Sequence, residues 1–376
     1  MTGPVAVGLS GGVDSAVAAL TLLRAGLTVE GLHMTNWEED EEGYCTAARD
    51  YQDARLVARE LGIPLHRVNF SAEYRDRVFA HFLAEYRAGR TPNPDVLCNR
   101  EVKFGVCLAY ARRLGLHRLA TGHYAGLGPG GELLRGADPA KDQSYFLAQV
   151  PTPALAAALF PVGGLPKAEV RRLAREAGLP VHDKRDSTGI CFIGERPFRD
   201  FLATFLPAQP GRIETLDGDD LGGHAGLMYY TVGQRRGIEL GGRRGAEEAA
   251  WYVAAKDVAR NVLKVVQGHD HPALYARVLT TSAPHWIGLP PALPLDCSVK
   301  VRYRQDDIEA HVTAAGDGLV VELAEPTYAV TPGQYAVFYV GERCLGSAVI
   351  TATVPQPALS AASRRNEAQA ADAPAV

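Results

Sequence analysis

No Cys-x-x-Cys pair occurs in this chain, although it carries six cysteines, Cys45, Cys98, Cys107, Cys191, Cys297 and Cys344. That absence excludes a zinc site or redox motif built on this spacing, and it argues against an iron–sulfur centre. No apolar run reaches the ~20 residues that span a bilayer, so a helical membrane protein is excluded. Apolar sequence already begins at Val5, which leaves no room for a secretory leader. The chain is therefore expected in a reducing cytoplasm, without structural disulfides. Basic residues are not in excess: 39 Lys and Arg stand against 43 Asp and Glu, for a net charge of −4. A nucleic-acid partner would have to be met by local patches. The Gly-x-x-x-x-Gly-Lys-Ser/Thr loop that cradles a transferable γ-phosphate is missing too, and there is no internal repeat.

What is present starts at once. An apolar run, Val5-Ala-Val-Gly-Leu9, leads into Ser10-Gly-Gly-Val-Asp-Ser15 and then a helical pattern, Ala16–Arg24. This order reads as strand, glycine turn and helix start. Glycines let backbone N–H groups turn toward a ligand, and a helix N-terminus favours an anion. Ser10, Asp14 and Ser15 can add hydrogen bonds or meet a magnesium ion. The turn resembles the pyrophosphate loop of the N-type ATP pyrophosphatases, which place AMP on a substrate oxygen.

The remaining pattern predicts an α/β fold: an N-terminal doubly wound parallel sheet over residues 1–206, with strands at Val5–Leu9, Thr28–Met34, Leu65–Asn69 and Arg118–Thr121. Helices are expected at Ala47–Leu61 and Val102–Leu114. Ligands then bind at the carboxyl ends of the strands, where Ser10–Ser15, Met34 and Thr121-Gly122-His123 fall. Short apolar runs and glycines over 207–271 predict a small β-rich central domain. Strands at Asp296–Arg304, Gly318–Leu323, Gln334–Val340 and Gly346–Ala352 predict a C-terminal β-barrel over 272–354. Residues 355–376 are rich in Ala, Ser and Pro and are expected to be a disordered tail.

Two cysteines sit in shaped segments. Cys98 follows Thr91-Pro-Asn-Pro-Asp-Val-Leu97, where two prolines predict a loop just ahead of a helix. A thiol at a helix N-terminus is more acidic; an ordinary half-buried cysteine is the other reading. Cys191 lies in Asp186-Ser-Thr-Gly-Ile-Cys-Phe-Ile-Gly194, behind Lys184 and Arg185, whose charge would favour a thiolate. Packing alone is the alternative there as well. Asp95 reads either as a general acid/base or as an Asx-turn residue. Strand alternation over Val299–Arg304 would put Lys300, Arg302 and Arg304 on one face as a basic stripe. A merely solvated strand face is the alternative. Cys107, Cys297 and Cys344 read as packing residues, Cys45 has no assigned role, and Trp37 precedes an acidic run, Glu38–Glu42.

Met34-Thr-Asn-Trp37, Pro92-Asn-Pro-Asp-Val-Leu-Cys-Asn99, Lys141-Asp-Gln-Ser-Tyr-Phe-Leu147, Asp186–Glu195 and Tyr230–Gly237 occur in this order. Together they resemble the signature segments of the tRNA-specific 2-thiouridylases, from residue 5 to about 350. The tail beyond Val354 and the loop 241–250 have no counterpart in that pattern. The resemblance implies ATP- and Mg2+-dependent 2-thiolation of the wobble uridine of tRNA, with AMP placed on the uracil C2 oxygen before sulfur arrives. It implies Cys191 as the persulfide carrier, Cys98 as the nucleophile, and a transient disulfide between them. It implies ATP contacts at Gly8, Leu9, Ser10, Gly11, Gly12, Val13, Asp14, Ser15, Met34 and Gly122, with no metal fixed by the protein itself. The target base would meet Asn93, Pro94 and Asp95. Transfer RNA would meet His123, Lys141, Asp142, Gln143, Arg302, Tyr303 and Gln334, with Arg235 and Arg236 adding to the patch. A persulfide sulfur carrier or cysteine desulfurase would be the partner of a monomeric enzyme. The rival readings are a pyrophosphate-loop synthetase that adenylates a small metabolite and a non-catalytic RNA-binding or sulfur-carrier protein. The first needs neither the paired cysteine segments nor a trailing barrel, and the intact loop speaks against the second.

Overall fold

Val5–Gly8 is a short apolar strand that pairs in parallel with Val29–Thr35 on one side and Arg118–Ala120 on the other. Leu65–Asn69 and Ala158–Leu159 extend the sheet at its two edges, both in parallel. The computed structural model describes residues 3–37, 47–185, 197–238, 240 and 249–355. Within them, alternate residues of the first strand face opposite ways, as a pleat requires. Val5 and Val7 pack with the helices Val13–Arg24, Ala47–Leu61 and Lys167–Glu176. Ala6 and Leu32 pack on the other face with Phe82, Val102 and Cys107. Helices thus cover both faces of a five-stranded parallel sheet. Its strand order reverses between Val5–Gly8 and Arg118–Ala120, and ligands bind such a sheet in the crevice at the strand ends beside that reversal.

The second unit is a four-stranded sheet ordered Trp251–Asp257, Val262–Gln267, Gly211–Glu214, Asp220–His224. Ile213, Tyr230, Val253, Leu263 and Val265 form its core. The third closes on itself: Tyr275–Thr281, Gly318–Tyr328, Ile308–Ala315, Leu295–Lys300, Tyr335–Val340 and Arg343–Pro355 pair in turn, and the last pairs back with the first. This is a six-stranded antiparallel barrel, and closure leaves no free edge among those strands. The hairpin Ala125–Leu127 and Leu133–Arg135, which precedes the fifth strand of the parallel sheet, pairs with Arg343 and Cys344 of the barrel. Buried hydrogen bonds reinforce that seam, from Tyr145 OH to the Tyr335 carbonyl at 3.2 Å and from Gln149 Nε2 to the Ser347 carbonyl at 3.1 Å.

Two expected elements differ. The helix expected at Val102–Leu114 begins at Pro94 and runs through Leu97, Cys98–Cys107 and Leu108–Arg113. Proline suits the first helical position because its missing N–H would have no partner there. Asn93 caps the start by accepting the Val96 N–H at 3.4 Å. The strand expected over Asp296–Arg304 stops at Lys300, and the chain bends and turns through Val301–Arg304.

Candidate active site

Beyond Gly8 the backbone turns through Leu9–Gly12 into the helix Val13–Arg24. Gly11 has φ +79°, and a Cβ there would lie 2.3 Å from the Asp50 carbonyl oxygen, so only glycine fits. Ser15 Oγ donates to the Gly12 carbonyl at 3.0 Å and accepts the Ser10 N–H at 3.3 Å. The turn is thereby braced from inside. Lys167 Nζ sits 2.7 and 2.8 Å from the two carboxylate oxygens of Asp14, and Tyr124 OH donates to the same carboxylate at 2.7 Å. Lys184 Nζ donates to the Gly11 carbonyl at 3.1 Å and pairs with Asp50 at 2.7 Å and Asp53 at 2.6 Å. Met34 and Thr121 both approach Gly8, within 4.0 and 3.9 Å of where its Cβ would be. Gly122 abuts the backbone of Asp14 and Ser15. The structure therefore gathers Gly8–Ser15, Met34 and Gly122 at one place. Lys167 and Tyr124 join them without any sequence signal that singles them out, and Lys184, expected to favour a Cys191 thiolate, is committed here to the Gly11 carbonyl, Asp50 and Asp53.

Cys98 lies on the helix that starts at Pro94, beyond its first turn, and is buried. The helix dipole acts mainly within the terminal turn, so an acidic thiol cannot be argued from a helix end as the loop reading expected. Over Cys98–Cys107 the helix has wide, π-type turns, in which residues five apart share a face. Gly105 permits this: a Cβ there would be 2.9 Å from the Arg100 carbonyl oxygen, five residues back. Asn99 is buried and its Nδ2 donates to the Phe146 carbonyl at 3.0 Å. Arg100 donates to Gln149 Oε1 at 3.0 Å, so the helix is tied through Gln149 to Ser347 of the barrel.

A cavity of about 590 Å³ opens at the start of this helix, lined by residues of all three units. Thr91, Asn93, Asp95 and Phe146 come from the first, Thr231–Gln234 from the second, and Arg302, Tyr303, Thr331 and Gln334 from the third. Gln334 Nε2 donates to the Thr91 carbonyl at 2.7 Å and its Oε1 lies 3.5 Å from Asn93 Nδ2. The rings of Phe146 and Tyr303 meet at 4.3 Å between centroids. Arg302 donates to the Ala329 carbonyl and to Thr331 Oγ1. Burial raises the Asp95 carboxyl above its ordinary value, and the nearby Lys103 charge opposes that shift. Pro94 is buried and is not part of the cavity's lining. Asn93, Asp95, Arg302, Tyr303 and Gln334, expected from three separate stretches, thus share one volume. Phe146 and Thr231–Gln234 are new members.

Other expected contacts are placed differently. Asp142 is buried, accepting the Gly136 and Ser144 N–H groups at 2.9 and 3.0 Å and lying near Arg135 and Lys300. Gln143 Oε1 accepts the Tyr124 N–H at 3.1 Å. Both organise the loop that carries half-buried Lys141, whose carbonyl is 3.5 Å from Tyr303 OH. His123 is buried between Phe104 and Phe160 with Nδ1 2.7 Å from Thr121 Oγ1, and burial holds its pKa well below the ordinary range, so the ring is neutral. The basic stripe is not formed. With the strand ending at Lys300, that side chain pairs with Asp307 at 3.7 Å, Arg302 turns inward, and only Arg304 stays exposed. Burial pushes the Cys107, Cys297 and Cys344 thiols up to about 12. Cys191 with its segment Asp186–Glu195, Cys45, Glu38–Glu42, most of the loop 241–250 and the tail beyond Pro355 lie outside the described residues. The chain leading to Cys191 is described as far as Arg185, one residue past Lys184 on the glycine turn.

Residues 3–195 match the family described as tRNA methyl transferase HUP domain. Residues 199–267 match the tRNA methyl transferase PRC-barrel domain and residues 276–350 the aminomethyltransferase beta-barrel domain. The chain is 57% identical over 351 residues to tRNA-specific 2-thiouridylase MnmA of Hahella chejuensis, covering 92% of this chain and 96% of that protein. Its identity to the protein of the same name from Chromohalobacter salexigens is 56% over 355 residues, or 93% and 92% of the two chains. For Klebsiella pneumoniae subsp. pneumoniae it is 55% over 358 residues, or 93% and 97%.

Proposed function

The chain belongs to the tRNA-specific 2-thiouridylases, and from that premise we propose how its own residues thiolate a tRNA uridine at the expense of ATP. The observation that carries the reading is the three-walled cavity, which places Asn93 and Asp95 beside Arg302, Tyr303 and Gln334 on the helix that bears Cys98. A base that has left its stack would enter there, as base-modifying enzymes require.

The phosphates of ATP lie on Gly8–Ser15, with the adenine toward Met34 and Gly122. Asp14 would meet a magnesium ion carried on the phosphates, which would neutralise part of their charge. Among the described residues no group of three or more His, Cys, Asp or Glu could hold a metal alone, and a single carboxylate, Asp14, suits an ion bound chiefly by phosphate and water. The uracil C2 oxygen attacks the α-phosphorus and expels pyrophosphate, while the N3 proton passes to the Asp95 carboxylate. The C2 oxygen, now bonded to AMP, is a good leaving group. The terminal sulfur of a Cys191 persulfide attacks C2 and AMP departs. The Cys98 thiolate then attacks the Cys191 sulfur, forming the Cys98–Cys191 disulfide and releasing the sulfur on C2; Asp95 returns the proton to N3. Cytoplasmic reductant restores the two thiols, and a persulfide carrier or cysteine desulfurase reloads Cys191. We assign residues 1–206 to the nucleotide chemistry, 207–271 to the central wall and 272–354 to holding tRNA, in a monomer.

Purified protein with ATP, magnesium, a persulfide donor and tRNA bearing a wobble uridine should yield 2-thiouridine on nucleoside analysis. Cys98→Ser and Cys191→Ser should each abolish product while leaving ATP binding intact. Full activity in either variant would overturn the two-thiol route.

A further inference from the structure

The wide turns of the helix Cys98–Cys107 change which side chains share a face. Asp95 and Cys98 are three residues apart across ordinary helical turns, so they share a face. Cys98 and Lys103 are five apart across π-type turns, so they share a face as well. In an ordinary helix a fifth residue would point well away. The widened segment brings Lys103 into line with the acid and the thiol, and Gly105 leaves room for the widening. Lys103 is half-buried, and among the described residues it has no ion-pair or hydrogen-bond partner. Asp95 likewise has no hydrogen-bond donor among them, although it lines the cavity. An unpaired ammonium held partly out of water is costly to maintain without a purpose.

We propose that Lys103 is a positioning residue for the thiolation reaction, supplying the positive charge that steadies Asp95 as a carboxylate and offsets the negative charge that develops on the uracil C2 oxygen and N3. The inference rests on the assignment of Asp95 to the N3 proton. The charged and titratable groups around Asp95 fit it. On its own helix these are Lys103 and Cys98. Across the cavity they are Arg302, which is committed to the Ala329 carbonyl and Thr331, and the phenol of Tyr303. The neutral ring of His123, beside Phe104, and the buried Cys107 thiol also feel the Lys103 charge. Lys103 is the cation that opposes burial at Asp95.

The sign of the effect is fixed. A base must be deprotonated to accept the N3 proton, so the rate falls as pH drops through the Asp95 pKa. Removing the Lys103 charge raises that pKa further, and the acid limb of the profile moves to higher pH. Lys103→Met should lower kcat at neutral pH by at least about tenfold and shift the acid limb upward by about one pH unit. KM for tRNA, ATP affinity and the melting temperature should stay near wild type. Lys103→Arg should restore both rate and limb. In an Asp95→Asn background Lys103→Met should shift nothing further. Wild-type kcat and profile in Lys103→Met would refute the inference, as would a loss confined to tRNA affinity with a shallower salt dependence, which would make Lys103 a phosphate contact. Production of 2-thiouridine by the wild type is measured first, so a failure of the thiolation reading itself is seen separately.

Discussion

Gly122 offers the sharpest steric test of the nucleotide site. Its φ is outside the left-handed region, so alanine can adopt the same backbone there. What alanine meets is the pyrophosphate loop: its Cβ would lie 2.7 Å from the Asp14 carbonyl carbon, 2.7 Å from the Ser15 nitrogen and 3.0 Å from Asp14 Cβ, where ordinary contact begins near 3.4 Å. Two of these atoms are backbone at the first turn of the helix, so no side-chain rotation relieves the clash. The helix start must retreat by several tenths of an ångström, and overpacking of this kind costs about 1–3 kcal/mol. In the free protein part of that strain relaxes as the loop moves. The loop must return to bind phosphate, so most of the cost appears in binding. At about 1.4 kcal/mol per factor of ten, Gly122→Ala should weaken ATP roughly 5- to 100-fold. Calorimetric titration with ATP measures this, and the thermal transition should fall by no more than a few degrees. ATP binding at wild-type strength in a folded Gly122→Ala protein would show that Gly122 does not abut the loop when nucleotide is present.

Lys167→Met should weaken ATP about tenfold or more while changing AMP affinity little, because the ammonium sits on Asp14 of the loop to which the proposed function assigns the phosphates that AMP lacks; equal losses for both nucleotides in competition titrations would contradict this. Gln149→Leu removes the link between Arg100 and Ser347 and leaves the buried Ser347 carbonyl without its donor. An orphaned buried group costs about 1–3 kcal/mol, so differential scanning calorimetry should find a lower transition, and an unchanged one would remove Gln149 from the seam.

The strand, glycine turn and helix of the proposed nucleotide site were legible because they are local. Strand, glycines and helix follow one another within about twenty residues, and Ala47–Leu61 and Leu65–Asn69 came out with the expected bounds because their apolar spacing is regular. The start of the Cys98 helix was misread because Pro92 and Pro94 look like loop residues, while at the first helical position proline costs nothing. The basic stripe failed for a tertiary reason. Alternation holds only while the strand lasts, and the Ala329 carbonyl and Thr331 hydroxyl draw Arg302 inward after Lys300. The pairing of the hairpin Ala125–Arg135 with the barrel could not be read, since three-residue strands carry no period. Nor could the wide turns, whose one local hint is Gly105.

The cavity explains why a nucleotide-binding sheet should be welded to two β units. Uracil differs little from other pyrimidines in the atoms that react, so selection must come from what surrounds them. A wall built only from Asn93, Asp95 and Phe146 would be open on two sides. Thr231–Gln234 and Arg302–Gln334 close it, and Gln334 does so while hydrogen-bonded to Thr91, two residues before the Asn93 cap. The helix that begins there passes from Asp95 at the cavity to Phe104, whose ring lies 6.1 Å from that of His123 beside the glycine that touches the pyrophosphate loop. In the proposed function one helix would therefore face the base at its start and the nucleotide side farther along. Under the proposed function, a tRNA seated on the barrel would bear on Gln334 and Tyr303, and through the seam at Gln149 and Ser347 on the residue two past Cys98. The separation of base from phosphate would then be set by the length of a helix and the packing of a seam, which would make both β units part of the reacting geometry.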